Sequence, residues 1–94
     1  MIVRRRVHVF YSGRVQGVGF RVHAEEIAQS MDVVGWVKNL RDGRVELMAE
    51  AEEPTLKHFL DAIRQGPMKN FIIDAEVMWS PAANTFEDFS IRYY

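Results

Sequence analysis

The sequence predicts an α+β sandwich in the order βαββαβ, with both helices on one face of an antiparallel sheet. Three observations predict it. Three segments alternate apolar and polar residues with period 2, as half-buried strands do, and residues 33–40 read as a fourth strand. Two others carry apolar residues at helical spacing. Asp42-Gly43 marks a tight turn between two of the strands, which leaves the helices after the first and third. At 94 residues, one domain over 1–94 is expected.

The first strand sets Val3, Arg5, Val7, Val9 and Tyr11 against Arg4, Arg6, His8, Phe10 and Ser12. A glycine-bearing loop follows over 13–20. Phe20, Ala24, Ile27, Ala28 and Met31 then line one helical face, opposite Glu25, Glu26 and Gln29. Residues 33–40 read as the second strand. The third alternates Val45, Leu47 and Ala49 with Glu46, Met48 and Glu50. Pro54 suits a helix start, where its missing N–H costs nothing. Leu56, Phe59, Leu60 and Ile63 form the second apolar helical face, and Gly66-Pro67 ends it. The fourth strand sets Ile73, Ala75, Val77 and Trp79 inward and Ile72, Asp74, Glu76 and Met78 outward. A loop over 81–88 leads to a short terminal strand within 89–94.

Two split βαβ halves give the strand order 4-1-3-2, a ferredoxin-like sheet. In that order the first and second strands run parallel with the third between them, so their C-terminal ends share one end of the sheet. Asn39, near the end of the second strand, then lies roughly 9–10 Å from the end of the first, two inter-strand spacings away. Topology thus brings the two stretches together, and the loop needs only to lean toward the second strand for Arg21 and Asn39 to flank one small ligand.

Composition narrows the function. A net charge of −1 gives no general pull toward nucleic acid or anionic membrane. There are no cysteines, which removes disulfides, thiolate catalysis and cysteine-based zinc sites. No signal-peptide core and no membrane-length apolar run is present, and a cytoplasmic protein is expected. His8, His23 and His58 show no ligand spacing with a carboxylate, so no metal site is expected. His8 reads as a half-exposed strand residue, and His23 and His58 as solvated helix positions. Trp36, Trp79 and Phe59 read as core, and Lys38 and Arg14 as solvated charges.

The chemistry points to the stretch Gly13-Arg14-Val15-Gln16-Gly17-Val18-Gly19-Phe20-Arg21. Glycines there can take positive φ, so that successive N–H groups curl into an anion nest. The following helix N-terminus adds its partial positive charge. Arg21 in the first helical turn opposes the macrodipole, a placement that suits an anion lying between the two. A nest over Val15, Gln16, Gly17, Val18, Gly19 and Phe20 can hold phosphate oxygens, Arg21 can add a bidentate fork, and the Asn39 amide can hold a water. Neither stretch contains a general acid or base. An alkoxide leaves poorly without a proton, whereas a carboxylate, whose acid has a pKa of about 4, departs unprotonated. The residues therefore match an acyl phosphate rather than a phosphomonoester.

GRVQGVGFR resembles the signature loop of the acylphosphatases. A second family signature follows as Gly35-Trp36-Val37-Lys38-Asn39, with Gly43 and Val45 beyond it. The resemblance covers nearly the whole chain, with Ala51 standing where the family pattern usually ends in glycine. It implies metal-independent hydrolysis of a carboxyl–phosphate bond, with no cofactor. It assigns phosphate binding to the matching Arg21 and water placement to the matching Asn39. The expected partners are a small acyl phosphate and inorganic phosphate, with no nucleic acid or membrane and a monomer by default. A non-catalytic phosphate- or carbamoyl-phosphate-binding module is the alternative, because similar domains occur inside larger carbamoyl-handling proteins.

An RNA-binding domain shares the βαββαβ order but places aromatics on the open face of its third strand. Here that face carries Glu46, Met48 and Glu50. Arg4 and Arg6 are expected to pair with Glu46 and Glu50 on one side and with Asp74 and Glu76 on the other.

Overall fold

The computed structural model describes residues 3–93. Met1, Ile2 and Tyr94, the last included in the expected terminal strand, lie outside the described residues. The elements are β1 (Arg4–Gly13), α1 (Phe20–Ser30), β2 (Val34–Asn39), β3 (Val45–Glu52), α2 (Glu53–Gln65), β4 (Ile72–Pro81) and β5 (Phe89–Arg92). A single 3₁₀ turn, Lys69–Phe71, precedes β4. The sheet order is β4-β1-β3-β2-β5, the expected 4-1-3-2 with β5 added parallel to β2.

Period 2 explains the core. Val7, Val9 and Tyr11 of β1 oppose Ala49, Leu47 and Val45 of β3, and all six are buried on the helix side. From above, α1 brings Phe20, Ala24 and Ala28, and α2 brings Leu56, Phe59 and Ile63. Ala51 continues β3 without interruption opposite Arg5 and is itself buried. Pro54 occupies the first turn of α2, as its fixed φ favours.

β4 departs from the expected alternation. Its pairing with β1 shifts between Ser12 and Gly13, so that Gly13 opposes Ile72 and Ile73 is skipped. Ile73 is thereby 82% exposed, while Ile72 packs against the core. The cause is a β-bulge, in which one extra residue flips the faces beyond it. Gly13 sits at that point because an added Cβ would lie 2.3 Å from the Phe71 carbonyl oxygen. Trp79 is not core either. It is 36% exposed with the Arg5 guanidinium 5.6 Å from its ring centroid. α2 packs over β1 and β3, so the inward side of the edge strand β4 has little cover.

The other sheet face is less open than the alternation implies. Residues 82–88 carry no regular structure and fold back over it. The Ala83 and Asn84 N–H groups donate to the two Glu50 carboxylate oxygens at 3.0 Å each, and Arg6 Nε donates at 2.7 Å. Glu50 is consequently fully buried. Burial alone would push its carboxyl up. The Ala83 N–H, the Arg6 side chain and the Asn84 N–H together outweigh burial and hold it below the usual range.

The expected pairing of Arg6 with Glu50 is thus present. Arg4 instead donates to the Asn84 side-chain oxygen at 2.9 Å, and Glu46 is taken by His8 at 2.6 Å and Lys38 at 3.7 Å. Asp74 and Glu76 have no ion pair among the described residues. Trp36 is buried, but on this second face, against Arg92 and Lys38. His23 is not a solvated helix residue, because its Nε2 lies buried and unbonded beside Gly66.

Candidate functional site

The loop after β1 is anchored at both ends. The Arg14 N–H donates to the Phe71 carbonyl at 2.9 Å, and Val15 is buried in the core. At the far end Phe20 is buried, its ring 4.9 Å from that of Tyr11. Between these anchors the chain turns through left-handed backbone at Gly17 (φ 75°) and Gly19 (φ 83°). A Cβ at either would meet nothing within 4 Å, so glycine is favoured by the backbone angle rather than by crowding.

Gly19 is also the N-cap of α1. No side chain caps this helix and its first turn holds no acid. The first N–H groups of a helix have no internal partner. Here they carry the positive end of the macrodipole with no side-chain cap.

Arg21 and Asn39 arrive from separate elements, as the topology predicts. They line one cavity of about 100 Å³ together with Val15, Gly17, Gly19 and Phe20. That is room for a small tetrahedral anion or a few waters. The Asn39 side-chain oxygen is buried and has no hydrogen-bond partner among the described residues. A buried amide oxygen left unbonded costs about 1–3 kcal/mol. Among the described residues Arg21 makes no ion pair; its guanidinium lies 5.1 Å from the centroid of the Tyr93 ring.

Two of the expected nest residues have side chains turned elsewhere. The Gln16 amide donates to the Leu40 carbonyl at 2.7 Å and to the Arg44 carbonyl at 2.8 Å. It ties the loop to the β2–β3 turn, and so to Asn39. Val18 packs against the core. Three further residues, Val22, Ile91 and Tyr93, complete the cavity wall. Val22 follows Arg21 in α1, while Ile91 and Tyr93 reach the cavity because β5 runs parallel beside β2. Alternation of Phe89, Ile91 and Tyr93 is visible in the sequence, but the edge on which β5 docks is not.

The three histidines stay apart. His8 is bonded to Glu46, His23 is enclosed near Gly66 and His58 is exposed. Among the described residues no three His, Asp or Glu side chains are grouped to hold a metal ion. No helix among them is long and apolar enough to cross a membrane.

Comparison with known proteins now carries weight beside the geometry. The acylphosphatase family profile matches residues 7–91. An acylphosphatase from Salinibacter ruber is 42% identical over 88 residues, spanning 94% of this chain and 93% of that protein. The crystal structure of acylphosphatase from Bacillus subtilis superposes with a TM-score of 0.88 at 38% identity, covering 95% of this chain and 99% of that one. Full-length HypF, in a phosphate- and nucleotide-bound form, matches with a TM-score of 0.83 at 25% identity. That match covers 98% of this chain but only 12% of HypF. With two signature stretches on one cavity and a family match over most of its length, the chain belongs to the acylphosphatase family.

Proposed function

We propose that the protein hydrolyses acyl phosphates to a carboxylate and inorganic phosphate. The observation that carries this reading is that Asn39, whose buried side-chain oxygen has no hydrogen-bond partner among the described residues, lines the same small cavity as Arg21 and the glycine loop. The N–H groups of Val15 to Phe20 hold the phosphoryl oxygens, and Arg21 adds a charged fork. Together they neutralise the charge that a metal ion neutralises in many phosphoryl-transfer enzymes. The Asn39 oxygen accepts a hydrogen bond from a water and aims its lone pair in line with the phosphorus.

Attack forms the new P–O bond as the bond to the acyl oxygen breaks. The carboxylate leaves unprotonated, so no general acid is required. The apolar side chains of Val22, Ile91 and Tyr93 lie at the cavity, where the acyl group emerges.

The test is hydrolysis of a small panel of acyl phosphates beside a phosphomonoester, with a strong chelator present. Turnover of the acyl phosphates alone, with inorganic phosphate competing, is expected. Loss of activity on chelation, restored by a divalent ion, overturns the assignment of charge neutralisation to the amides and Arg21. The likeness to HypF, where a comparable fold forms 12% of a longer chain, motivates a second reading as a phosphate- or carbamoyl-phosphate-binding module. That reading predicts tight anion binding without turnover in the same assay.

A further inference from the structure

A larger hollow, about 260 Å³, lies away from the nest between α2 and the edge strand β4. It exists because α2 sits over β1 and β3 and leaves the inward side of β4 without a helix above it. Its wall is apolar, formed by Ala75, Val77 and Trp79. Its rim on α2 carries Lys57, Asp61 and Arg64, two cations and one anion, a net charge of +1.

At its base lies Tyr11, only 3% exposed. The Tyr11 hydroxyl makes no hydrogen bond among the described residues. Burial pushes that phenol far above its usual pKa, with the Arg64 charge near enough to pull partly against it. The hydroxyl is therefore a neutral donor at any ordinary pH. Arg64 is exposed and joins no ion pair among the described residues, while Lys57 keeps a loose one to Glu53 at 3.7 Å.

We propose that this groove binds a small apolar monocarboxylate. Its carboxylate accepts from the Tyr11 O–H and the Arg64 guanidinium, and its hydrocarbon body lies on Ala75, Val77 and Trp79. The charge fits one carboxylate, and a planar fork matches its two oxygens. A compact dianion such as phosphate would leave the apolar wall uncovered. A purely apolar occupant would leave the Tyr11 donor buried and unmet, which is costly. A strand added at the outer edge of β4 would reach neither Tyr11 nor Arg64.

Benzoate is a suitable probe, titrated with saturating inorganic phosphate present so that the nest is filled. The Trp79 indole and the Ala75 and Val77 methyl resonances report on the groove, and those of Val22 and Ile91 on the nest. A ligand of this size held by one charged contact is expected to bind in the roughly millimolar range. Saturable shifts at Trp79, Ala75 and Val77 are expected. Tyr11→Phe should weaken binding about threefold to tenfold, and Arg64→Gln by at least as much. Benzyl alcohol, which keeps the ring and lacks the charge, should bind at least about tenfold more weakly.

Shifts confined to Val22 and Ile91, equal binding of benzyl alcohol, unchanged affinity in Arg64→Gln, or no saturable shift would each overturn the proposal. Arg64 is on an exposed helix surface, so that variant decides the matter even if Tyr11→Phe alters the core.

Discussion

Two buried polar groups lie one strand apart and have opposite surroundings. Glu50 on β3 is fully enclosed and fully bonded, with two backbone N–H groups and Arg6 converging on its carboxylate. Asn39 on β2 ends in an oxygen that is buried and has no partner among the described residues. The first arrangement fastens residues 82–88 over the sheet. The second leaves an unmet acceptor on a residue that lines the same cavity as the glycine loop. A buried polar group with all partners supplied from within serves the fold, whereas an unpartnered one calls for a separate explanation, which for Asn39 is the ligand of the proposed reaction.

Arg21→Ala should break the comparison most severely at the nest. Losing one oxyanion-type donor typically costs about 10²–10³ in rate, and a charged fork should cost at least that. Affinity for inorganic phosphate should fall too, because the charge acts before as well as during reaction. Stability should hold, since the guanidinium touches only the exposed Tyr93 ring among the groups described. Arg21→Lys should recover little, a point charge being no substitute for a planar fork. Normal phosphate affinity in Arg21→Ala would remove this residue from the site.

Asn39→Ala should cost slightly less in total. We expect kcat to fall by at least about 10², with phosphate affinity nearly unchanged, because water placement matters mainly in the transition state. The orphaned oxygen sharpens this expectation. Deleting a buried acceptor that has no partner removes a desolvation cost, so the variant should be as stable as the parent or more so. A clear drop in unfolding midpoint with kcat retained would make Asn39 a turn residue and nothing else.

Glu50→Gln tests the other side. The amide keeps one acceptor but loses the charge and presents an N–H₂ group to a backbone donor. A stability loss of about 2–4 kcal/mol is expected, with activity per folded molecule retained. Acid should reproduce part of the effect in the parent. The folded Glu50 pKa is depressed, so its contribution is present above the unfolded value and is lost as pH falls through the folded one. Unfolding free energy should therefore drop below about pH 4, and Glu50→Gln should flatten that part of the profile. An identical acid slope in parent and variant would show that the latch carries no such charge.

The contrast between the two groups also marks what was legible in the chain. Arg21 and Asn39 were readable because each sits in a local signature and strand order alone juxtaposes them. Val7, Val9, Leu47 and Ala49 were readable because alternation is local. Glu50 had the same outward phase as Glu46, and nothing near it signals that residues 83 and 84 return to cover it. Ile73 was misplaced by a bulge that exists only in the pairing of β4 with β1, where Gly13 leaves room for the Phe71 carbonyl. Trp79 was misplaced because its cover depends on which strands α2 spans. Local pattern thus reports periodicity and motifs, while closure by distant loops and the width of a helix's shadow are tertiary facts.

Gln16 offers the smallest and most discriminating change. Its amide donates to two carbonyls, Leu40 and Arg44, on either side of the turn that follows Asn39. The same Leu40 carbonyl also accepts from the Gly43 N–H, and the Leu40 N–H donates to the Arg44 carbonyl. One side chain therefore sets the distance between the nest and Asn39. Gln16→Ala should cost about 1–2 kcal/mol for two part-buried bonds, and lower kcat several-fold by loosening that distance.

Gln16→Glu distinguishes this from simple loss of packing. The side chain keeps its shape, but an ionised carboxylate has no donor and would face two carbonyl oxygens. If Gln16 acts by donating, Glu at this position should be worse than Ala in both kcat and unfolding midpoint near neutral pH. Part of the loss should return in mild acid, where a protonated carboxyl regains one O–H donor. If Gln16 only fills space, Glu should instead resemble the parent and Ala should be the weaker variant. Measuring kcat and the unfolding midpoint of both variants at two pH values, against the parent at each, separates the two accounts.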